Sequence, residues 1–291
     1  MISIIIASVK PELLAKVEAS ISKTIGVNYE VIAIENGDGR MGLCELYNKG
    51  VSQSHFDVLC FMHEDIVFKT ENWGALVLQI FENNKQLGLL GVAGSQYKSV
   101  APSTWHSFKN EEPELLNYNF IQHFKFSEHK AILEYSNPEN ALLTNVATID
   151  GLWFCCTRDA VQKYSFDEKI LKGFHGYDLD FSIGIGQYFD VAVTFEILIE
   201  HFSEGNLNKD WLIDILKVHA KWSSLLPINI RNLSKKKIFF LEKNGFRALI
   251  QRMKAEGFTL SEINNVIFQG KKSRVMSFKL LLKIYFFLFK K

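Results

Sequence analysis

Strand-like and helix-like stretches alternate along the first hundred residues, and this alternation constrains the fold more than any other feature. Short apolar runs with no helical period predict strands at residues 2–7, 29–34, 56–62 and 89–94. Helix-like patterns separate these runs, at residues 11–23, 41–54 and 73–84. The alternation predicts an α/β fold in which helices flank a doubly wound, mainly parallel sheet.

The length and composition fit one large domain or one domain with an appendage. A chain of 291 residues with 47% hydrophobic content can bury a substantial core. The four cysteines have no CxxC spacing, which favours reduced and mostly buried thiols. The amino terminus is apolar but lacks a basic segment, so it is expected to be a first strand of a cytoplasmic protein.

The charge is distributed unevenly along the chain. Residues 231–291 contain 15 Lys and Arg against 3 acidic residues, which leaves 18 basic and 29 acidic residues in the remainder. Such a division predicts an acidic body with a basic tail that meets an anionic surface. A membrane face and nucleic acid are the two candidates for that surface.

Three polar residues, His63, Glu64 and Asp65, directly follow the predicted strand at residues 56–62. In an open α/β sheet, ligands bind beyond the carboxyl ends of the strands. Two carboxylates and an imidazole at that edge suit a divalent cation, which in turn suits a diphosphate. An acidic turn between two strands is the alternative for such a triplet.

Two further positions carry candidate catalytic carboxylates. Asp178 and Asp180 lie two residues apart, before an apolar stretch. If residues 179–185 are helical, both carboxylates lie near the positive end of the helix, which favours the ionised form that a general base requires. Helix capping is the alternative.

A third cluster and an irregular segment complete the candidate site. His201 follows a strand-like run at residues 191–199, and it is either a core histidine or a metal ligand. Residues 95–145 mix aromatic and polar side chains, and we expect an irregular insertion there. Insertions of this kind often form one wall of a ligand cleft.

Taken together, these features resemble a family-2-type glycosyltransferase with the GT-A fold, close to the bacterial glycosyltransferase-like branch. The resemblance covers residues 1–222 and rests on the order of short motifs: residues 3–8, 34–37 and 48–50, His63-Glu64-Asp65 in the DxD slot, Asp150-Gly151 with Arg158-Asp159, and Tyr177-Asp178-Leu179-Asp180 in the slot usually written Glu-Asp-x-Asp. Two positions depart from the family pattern. His63 begins the DxD slot, which affects the ribose or metal contact, and Tyr177 replaces the Glu, which affects the assignment of the base.

The resemblance implies an inverting, metal-dependent transfer of a sugar from a nucleotide-diphosphate donor to a glycan or lipid-linked hydroxyl, in cell-surface polysaccharide synthesis. It implies that Asp65 and His201 ligate Mn²⁺ or Mg²⁺, and that Asp178 or Asp180 is the catalytic base. The residues that it implies for the donor nucleotide are Ser8, Glu35, Asn36, Asp38, His63 and Glu64. Those implied for the acceptor or the sugar are Asp150, Gly151, Trp153 and His175.

Two other classes of function remain open. One is a catalytically silent GT-A-like module that binds nucleotide or glycan. The other is a phosphoesterase or nucleotidyltransferase on a similar sheet. A nucleotidyltransferase typically has a Gly-rich loop with a basic residue after its first strand, whereas this chain continues as Ala7-Ser8-Val9-Lys10-Pro11.

The sequence predicts two parts, a GT-A-like domain at residues 1–225 and a basic helical extension at residues 226–291. The extension predicts a second functional surface. From residue 271 onwards, about 15 apolar residues are interrupted by two lysines, whereas a spanning helix needs roughly 20 apolar residues. One helix over this segment would place Lys272, Lys279, Lys283 and Lys290 on one stripe. An interfacial helix on the anionic inner face of the membrane fits this pattern, and a helix docked on the body is the alternative. Nucleic acid is not expected, because the lysines alternate with bulky aliphatic residues.

Overall fold

Fifteen strands and nine α-helices form the part of the chain that the computed structural model describes, which is residues 1–107, 113–124, 130–203, 205 and 207–290. The strands are β1 (Ile2–Ser8), β2 (Tyr29–Glu35), β3 (Val58–Met62), β4 (Ile66–Phe68), β5 (Leu87–Gly91), β6 (Ala93–Ser95), β7 (Tyr97–Lys98), β8 (Leu116–Gln122), β9 (Ile132–Ser136), β10 (Leu143–Asn145), β11 (Thr148–Ile149), β12 (Trp153–Thr157), β13 (Asp190–Thr194), β14 (Ile199–His201) and β15 (Ile228–Asn229). The helices are α1 (Pro11–Thr24), α2 (Leu43–Gln53), α3 (Trp73–Asn83), α4 (Arg158–Lys163), α5 (Tyr177–Ile185), α6 (Lys209–Lys221), α7 (Lys235–Ala255), α8 (Leu260–Gly270) and α9 (Phe278–Phe289).

The largest sheet in these residues has seven strands in the order β10-β13-β5-β12-β3-β1-β2. Five of these described strands run in one direction, and β10 and β12 run against them. Ser8 in β1 pairs with Glu35 in β2, and Ile6 pairs with Met62 at the end of β3. The three carboxyl ends therefore lie along one edge of the sheet, and the predicted mainly parallel α/β fold is confirmed.

Helices cover both faces of this sheet, and β3 shows why its sequence is a continuous apolar run. Leu59 and Phe61 belong to the core on the face with α2 and α5. Val58, Cys60 and Met62 belong to the core on the opposite face, with α1 and α3. Successive side chains of a strand point to opposite faces, so a strand buried on both sides is apolar at every position.

Part of the middle of the chain is regular, and the expectation of an irregular insertion at residues 95–145 is wrong for β8 and β9. A second described sheet has the order β11-β6-β8-β14-β4, with β9 paired to the central strand β8. The buried positions of β8 are occupied by Asn117 and Asn119. The amide nitrogen of Asn119 donates to the carbonyl oxygens of Phe195 and Ile197. Polar residues on the buried face conceal the alternation that predicts a strand.

The predicted strand-like run at residues 191–199 is divided between the two sheets. β13 lies beside β5 in the seven-stranded sheet, and β14 pairs with β4 and β8 in the other sheet. The short connection between them carries the chain from one sheet to the next. This transfer brings His201, at the end of β14, to the region beyond the carboxyl end of β3.

The carboxyl-terminal helices pack on the body and share its core. Phe246 and Leu249 of α7 belong to the same cluster as Val100. The carboxylate of Glu242, also in α7, is fully buried and accepts hydrogen bonds from the Tyr97 hydroxyl and the backbone N–H of Val100. Burial raises the pKa of Glu242, and the hydrogen bonds oppose that rise.

The last helix is shorter than the sequence suggests. α9 begins after Ser277, whose hydroxyl accepts a hydrogen bond from the N–H of Leu280 and caps the helix. Lys272 and Lys290 therefore lie outside it, and the predicted single stripe of four lysines is wrong at those two residues. α9 packs against α7, and its inner face buries Leu280, Ile284 and Leu288. Across the residues that the structure describes, every helix is too short or too polar to cross a bilayer.

Candidate functional site

A cavity of about 410 Å³ opens beside the carboxyl end of β3 and contains most of the predicted catalytic and sugar-binding residues. Its wall is built from His63 after β3, the turn before β12, the start of α5 and the end of β14. The predicted site residues that line it are His63, Asp150, Gly151, His175, Asp178 and His201. Residues more than 130 positions apart are thus brought together by the two sheets.

The side chains of His63, Asp65 and His201 form a group that could hold a metal ion. One ligand atom from each lies within 4.8 Å of the others. An Asp65 carboxylate oxygen lies 3.7 Å from His201 Nε2 and 4.0 Å from His63 Nδ1. Metal–ligand bonds of about 2.0–2.2 Å place neighbouring ligands roughly 3–3.5 Å apart, so a small contraction would enclose an ion. The donor set fits a divalent transition metal, because imidazole and carboxylate both ligate such ions.

Each histidine of this group also has a partner on its outer side. His63 Nε2 lies 3.1 Å from the hydroxyl oxygen of Tyr177, and His201 Nδ1 lies 3.2 Å from the side-chain oxygen of Gln122. Burial, followed by the neighbouring His63, lowers the pKa of His201. A neutral imidazole is the form that binds a metal ion.

Asp178 faces the cavity from the first turn of α5. Burial, and then the nearby carboxylate of Asp150, raises the pKa of Asp178 to about 7. This outcome corrects the expectation that the helix terminus favours the ionised form of Asp178, because desolvation and repulsion outweigh the helix dipole here. A carboxylate that titrates near neutral pH is suited to accept a proton from a hydroxyl.

Asp180, the other predicted catalytic residue, lies outside the cavity lining and is almost fully buried. Its carboxylate accepts hydrogen bonds from the Tyr164 hydroxyl at 2.7 Å and from Trp222 Nε1 at 2.8 Å. Lys221 Nζ forms an ion pair with it at 2.8 Å. These contacts join α5 to α6 and to the end of α4. They indicate that Asp180 stabilises the packing of these helices.

The predicted acceptor and sugar residues divide into two groups. Asp150, Gly151 and His175 line the cavity, and burial lowers the pKa of His175. Trp153 does not line it, because its ring is fully buried and packs 6.0 Å from the ring of Trp73. A side chain at this position of β12 points into the core, so the structure corrects the prediction for Trp153.

The predicted donor residues other than His63 lie along the neighbouring strand ends, outside the cavity lining. Ser8 and Glu35 end β1 and β2 side by side. The Asn36 side chain binds both backbone groups of Met41, and Asp38 forms an ion pair with Arg40.

Glu64 also contacts the backbone. Its carboxylate accepts hydrogen bonds from the N–H groups of Val9 and Lys10, at 3.0–3.2 Å. These contacts hold the turn between β1 and α1. The structure thus places Glu64 beside the end of β1 and directs its oxygens to the backbone of the β1–α1 turn.

Among the lining residues that the sequence did not single out for the site, four come from residues 95–145. Thr104 and Trp105 come from the segment after β7, and Phe120 and Gln122 come from β8. They confirm that residues 95–145 contribute a wall of the cleft. The mixture of aromatic and polar residues in this segment indicates a cleft wall. The individual lining residues could not be predicted without the register of β8.

Comparisons with known proteins identify one family. A family model described as "Glycosyltransferase like family" matches residues 3–216. The solved structures include one described as "Crystal Structure of A197 from STIV", which is 12% identical and aligns over 70% of this chain and 86% of that chain with a TM-score of 0.38. That similarity is too low to carry an argument. The search of curated proteins gives no match.

Proposed function

This chain belongs to the glycosyltransferase-like family and is a transferase, and we propose that it moves a sugar from a nucleotide-diphosphate donor to a hydroxyl of a glycan or a lipid-linked glycan, with inversion at the anomeric carbon. The observation that supports this most is the position of Asp178. Its carboxylate, with a pKa of about 7, lines the same cavity as His63 and His201 of the candidate metal group. A base and a site for the leaving diphosphate therefore lie on one cavity.

Asp178 acts as the general base in this proposal. It accepts the proton of the acceptor hydroxyl while that oxygen attacks the anomeric carbon from the side opposite the diphosphate. The C–O bond to the diphosphate breaks as the new glycosidic bond forms, and the electron pair leaves with the diphosphate. Asp150, which helps to raise the pKa of Asp178, lines the cavity beside it. Repulsion between the carboxylates of Asp150 and Asp178 makes Asp178 a stronger base, since a carboxylate with a higher pKa holds a proton more tightly.

The donor lies across the edge formed by the ends of β1, β2 and β3. Ser8, Glu35, Asn36 and Asp38 are at the nucleoside end of this edge, and the candidate metal group is at the diphosphate end. Mn²⁺ or Mg²⁺ held by His63, Asp65 and His201 would supply Lewis-acid stabilisation of the leaving diphosphate. Two imidazole ligands in this group favour Mn²⁺, because Mg²⁺ prefers oxygen ligands.

The acceptor sugar occupies the cavity itself. Trp105, Phe120 and Trp211 give it an aromatic lining, and Asp150 and His175 add polar groups. A largely apolar pocket with a few polar groups is typical of small-molecule sites. Its volume of about 410 Å³ is within the usual range for such sites.

The outer face of α9 supports a peripheral position on a membrane, which would suit a lipid-linked acceptor. Phe278, Leu282 and Phe286 follow one another at four-residue spacing, and their side chains are 76%, 56% and 60% exposed. Lys279 and Lys283 are exposed on the adjacent stripe. Exposed aromatic side chains beside lysines match the acyl boundary and the headgroups of an anionic leaflet.

A second positively charged feature, a cavity, lies beside α9. Arg247 and Lys254 of α7 and Lys290 after α9 line a cavity of about 440 Å³ between the two helices. Lys254 Nζ also donates to the carbonyl oxygen of Leu288. Three cations around one cavity are complementary to a phosphate headgroup. In this proposal α9 is both docked, through its inner face, and interfacial, through its outer face.

A panel of nucleotide sugars tests the proposed function. Each donor is incubated with the protein, Mn²⁺ and a crude glycan or lipid-linked acceptor, and the release of nucleoside diphosphate is measured. We expect one donor to be consumed, and Asp178→Asn to reduce the rate of that consumption by about 10²–10⁴-fold. Thermal stabilisation by nucleoside diphosphates without hydrolysis or transfer of any donor would instead favour the catalytically silent binding module.

A further inference from the structure

The hydrogen bonds around Tyr177 determine which nitrogen of His63 carries the proton. The Tyr177 hydroxyl lies 3.1 Å from the carbonyl oxygen of Gly151, which can only accept a hydrogen bond. The single hydroxyl proton of Tyr177 is therefore donated to Gly151. The lone pair on the same oxygen must then accept from His63 Nε2, at 3.1 Å. His63 is protonated on Nε2, and its Nδ1 lone pair faces Asp65.

An independent set of contacts determines which ring nitrogen of His201 carries the proton. The amide nitrogen of Gln122 donates to the carbonyl oxygens of His123 and Ser203, at 2.6 and 2.8 Å. Two carbonyl partners identify this atom as the nitrogen, so the other terminal atom of Gln122 is the oxygen. That oxygen lies 3.2 Å from His201 Nδ1, which must donate to it. The lone pair of His201 is therefore on Nε2, which lies 3.7 Å from the Asp65 carboxylate and 3.5 Å from the Ser203 hydroxyl oxygen.

We propose that Tyr177 and Gln122 are positioning residues for metal binding, which hold His63 and His201 in opposite tautomers so that both lone pairs face Asp65. This inference rests on the metal-dependent function proposed above. A metal-ligating histidine commonly donates its second ring N–H to an outer partner, which orients the ring and raises the affinity for the ion. Here the two histidines use different ring nitrogens for this purpose.

Two features indicate that the Tyr177 contact is specific to this site. The Tyr177 ring already packs against Tyr47 and Phe154 in the core, at centroid distances of 5.5 and 6.5 Å, so the hydroxyl adds a function beyond packing. Residue 151 must also be small, because a Cβ on Gly151 would lie 2.2 Å from the Tyr177 hydroxyl oxygen.

The first test reads the tautomers directly in the metal-free protein. Long-range ¹H–¹⁵N NMR correlations of the histidine side chains, recorded above neutral pH, distinguish the two forms of a neutral imidazole. We expect the Nε2–H form for His63 and the Nδ1–H form for His201. The opposite tautomer at either residue would overturn the proposal, and this measurement needs no variant that must fold.

The second test measures Mn²⁺ affinity by titration calorimetry for Tyr177→Phe and Gln122→Leu. We expect each substitution to weaken binding about 10–100-fold, with little change in Tm for Tyr177→Phe because the ring remains. Tyr188→Phe is the matched control, since Tyr188 is exposed beyond the other end of α5 and should not change the affinity. Wild-type affinity in both variants would overturn the positioning role alone. A wild-type protein that binds no Mn²⁺ would instead overturn the metal-dependent function.

Discussion

The hydroxyl oxygen of Tyr177 lies 3.1 Å from Nε2 of His63. These are the two residues at which the sequence departs from the motif pattern of the glycosyltransferases that it resembles, and they contact each other although 114 positions separate them. A histidine in the DxD slot has a second ring nitrogen that requires a partner, and a tyrosine in the place of the usual glutamate supplies one. One contact therefore joins the two departures.

Asp178→Asn should reduce sugar transfer by about 10²–10⁴-fold, because general-base catalysis typically contributes that much. Nucleoside diphosphate affinity should be unchanged, since Asp178 lies outside the metal group. Initial rates of transfer and calorimetric binding constants check the two expectations. Asp180→Asn is the comparison, and it should lower the unfolding temperature through the loss of its contacts with Tyr164 and Lys221. Full transfer by the Asp178 variant would show that the base is misassigned.

Parts of the fold and of the candidate site could be predicted from the sequence. β1, β2 and β3 are short apolar runs that end in polar residues, so the position of His63 at a strand end follows from local pattern. The family resemblance, which rests on the order of such motifs, is confirmed by the match over residues 3–216.

Other parts depend on contacts between distant residues and could not be predicted. Asp178 and Asp180 are alike in sequence. Contacts with Tyr164, Lys221 and Trp222 distinguish the buried Asp180 from Asp178, which lines the cavity. β8 was missed because asparagines occupy its buried face. Gln122, at its end, could not be related to His201 without the register of β8 beside β14.

The rate of transfer should depend on pH through Asp178. Because the pKa of Asp178 is raised to about 7, the base is protonated below that pH. We expect kcat/KM to fall about tenfold per pH unit below pH 7 and to level off above it. A profile of kcat/KM from pH 5 to 9 in the presence of Mn²⁺ measures this fall on the acid side. An acid limb centred near pH 4 would contradict a raised pKa at the catalytic base.

The same raised pKa predicts how stability changes with pH. An aspartate whose pKa is higher in the folded than in the unfolded state destabilises the fold progressively as the pH rises from about 4 towards 7. Asp178→Asn removes this effect, so its advantage in Tm over the wild type should grow across that interval and stay constant above it. Thermal unfolding at pH 4, 6 and 8 checks the trend. An advantage that does not change with pH would argue against the shift.

Lys221→Met should lower the free energy of unfolding by about 3 kcal/mol, since it leaves the carboxylate of Asp180 buried without its cation. Urea denaturation measures this difference. Lys217→Met is a matched control on the same helix, because Lys217 is more exposed and its pair with Asp214 should contribute no more than about 1 kcal/mol. Equal losses in the two variants would contradict the buried role of Asp180.

Replacement of Phe278, Leu282 and Phe286 by serine should release the protein from anionic liposomes and leave its Tm nearly unchanged. These side chains are exposed on the outer face of α9, whereas the inner face keeps the helix docked. Co-sedimentation with vesicles that contain phosphatidylserine measures binding, and neutral vesicles are the control. Binding should also weaken at high salt. A triple variant that still co-sediments would show that α9 does not contact the membrane.

The most direct test of the account is the Mn²⁺-dependent affinity for nucleoside diphosphates of the wild type and of Asp65→Ala, measured by titration calorimetry. Asp57→Ala, an exposed acidic residue before the other end of β3, is the matched control. We predict that the wild type and the control bind one nucleoside diphosphate in the presence of Mn²⁺, and that Asp65→Ala loses this binding while keeping its Tm. Equal Mn²⁺-dependent affinity in Asp65→Ala and the wild type would contradict the assignment of the metal site.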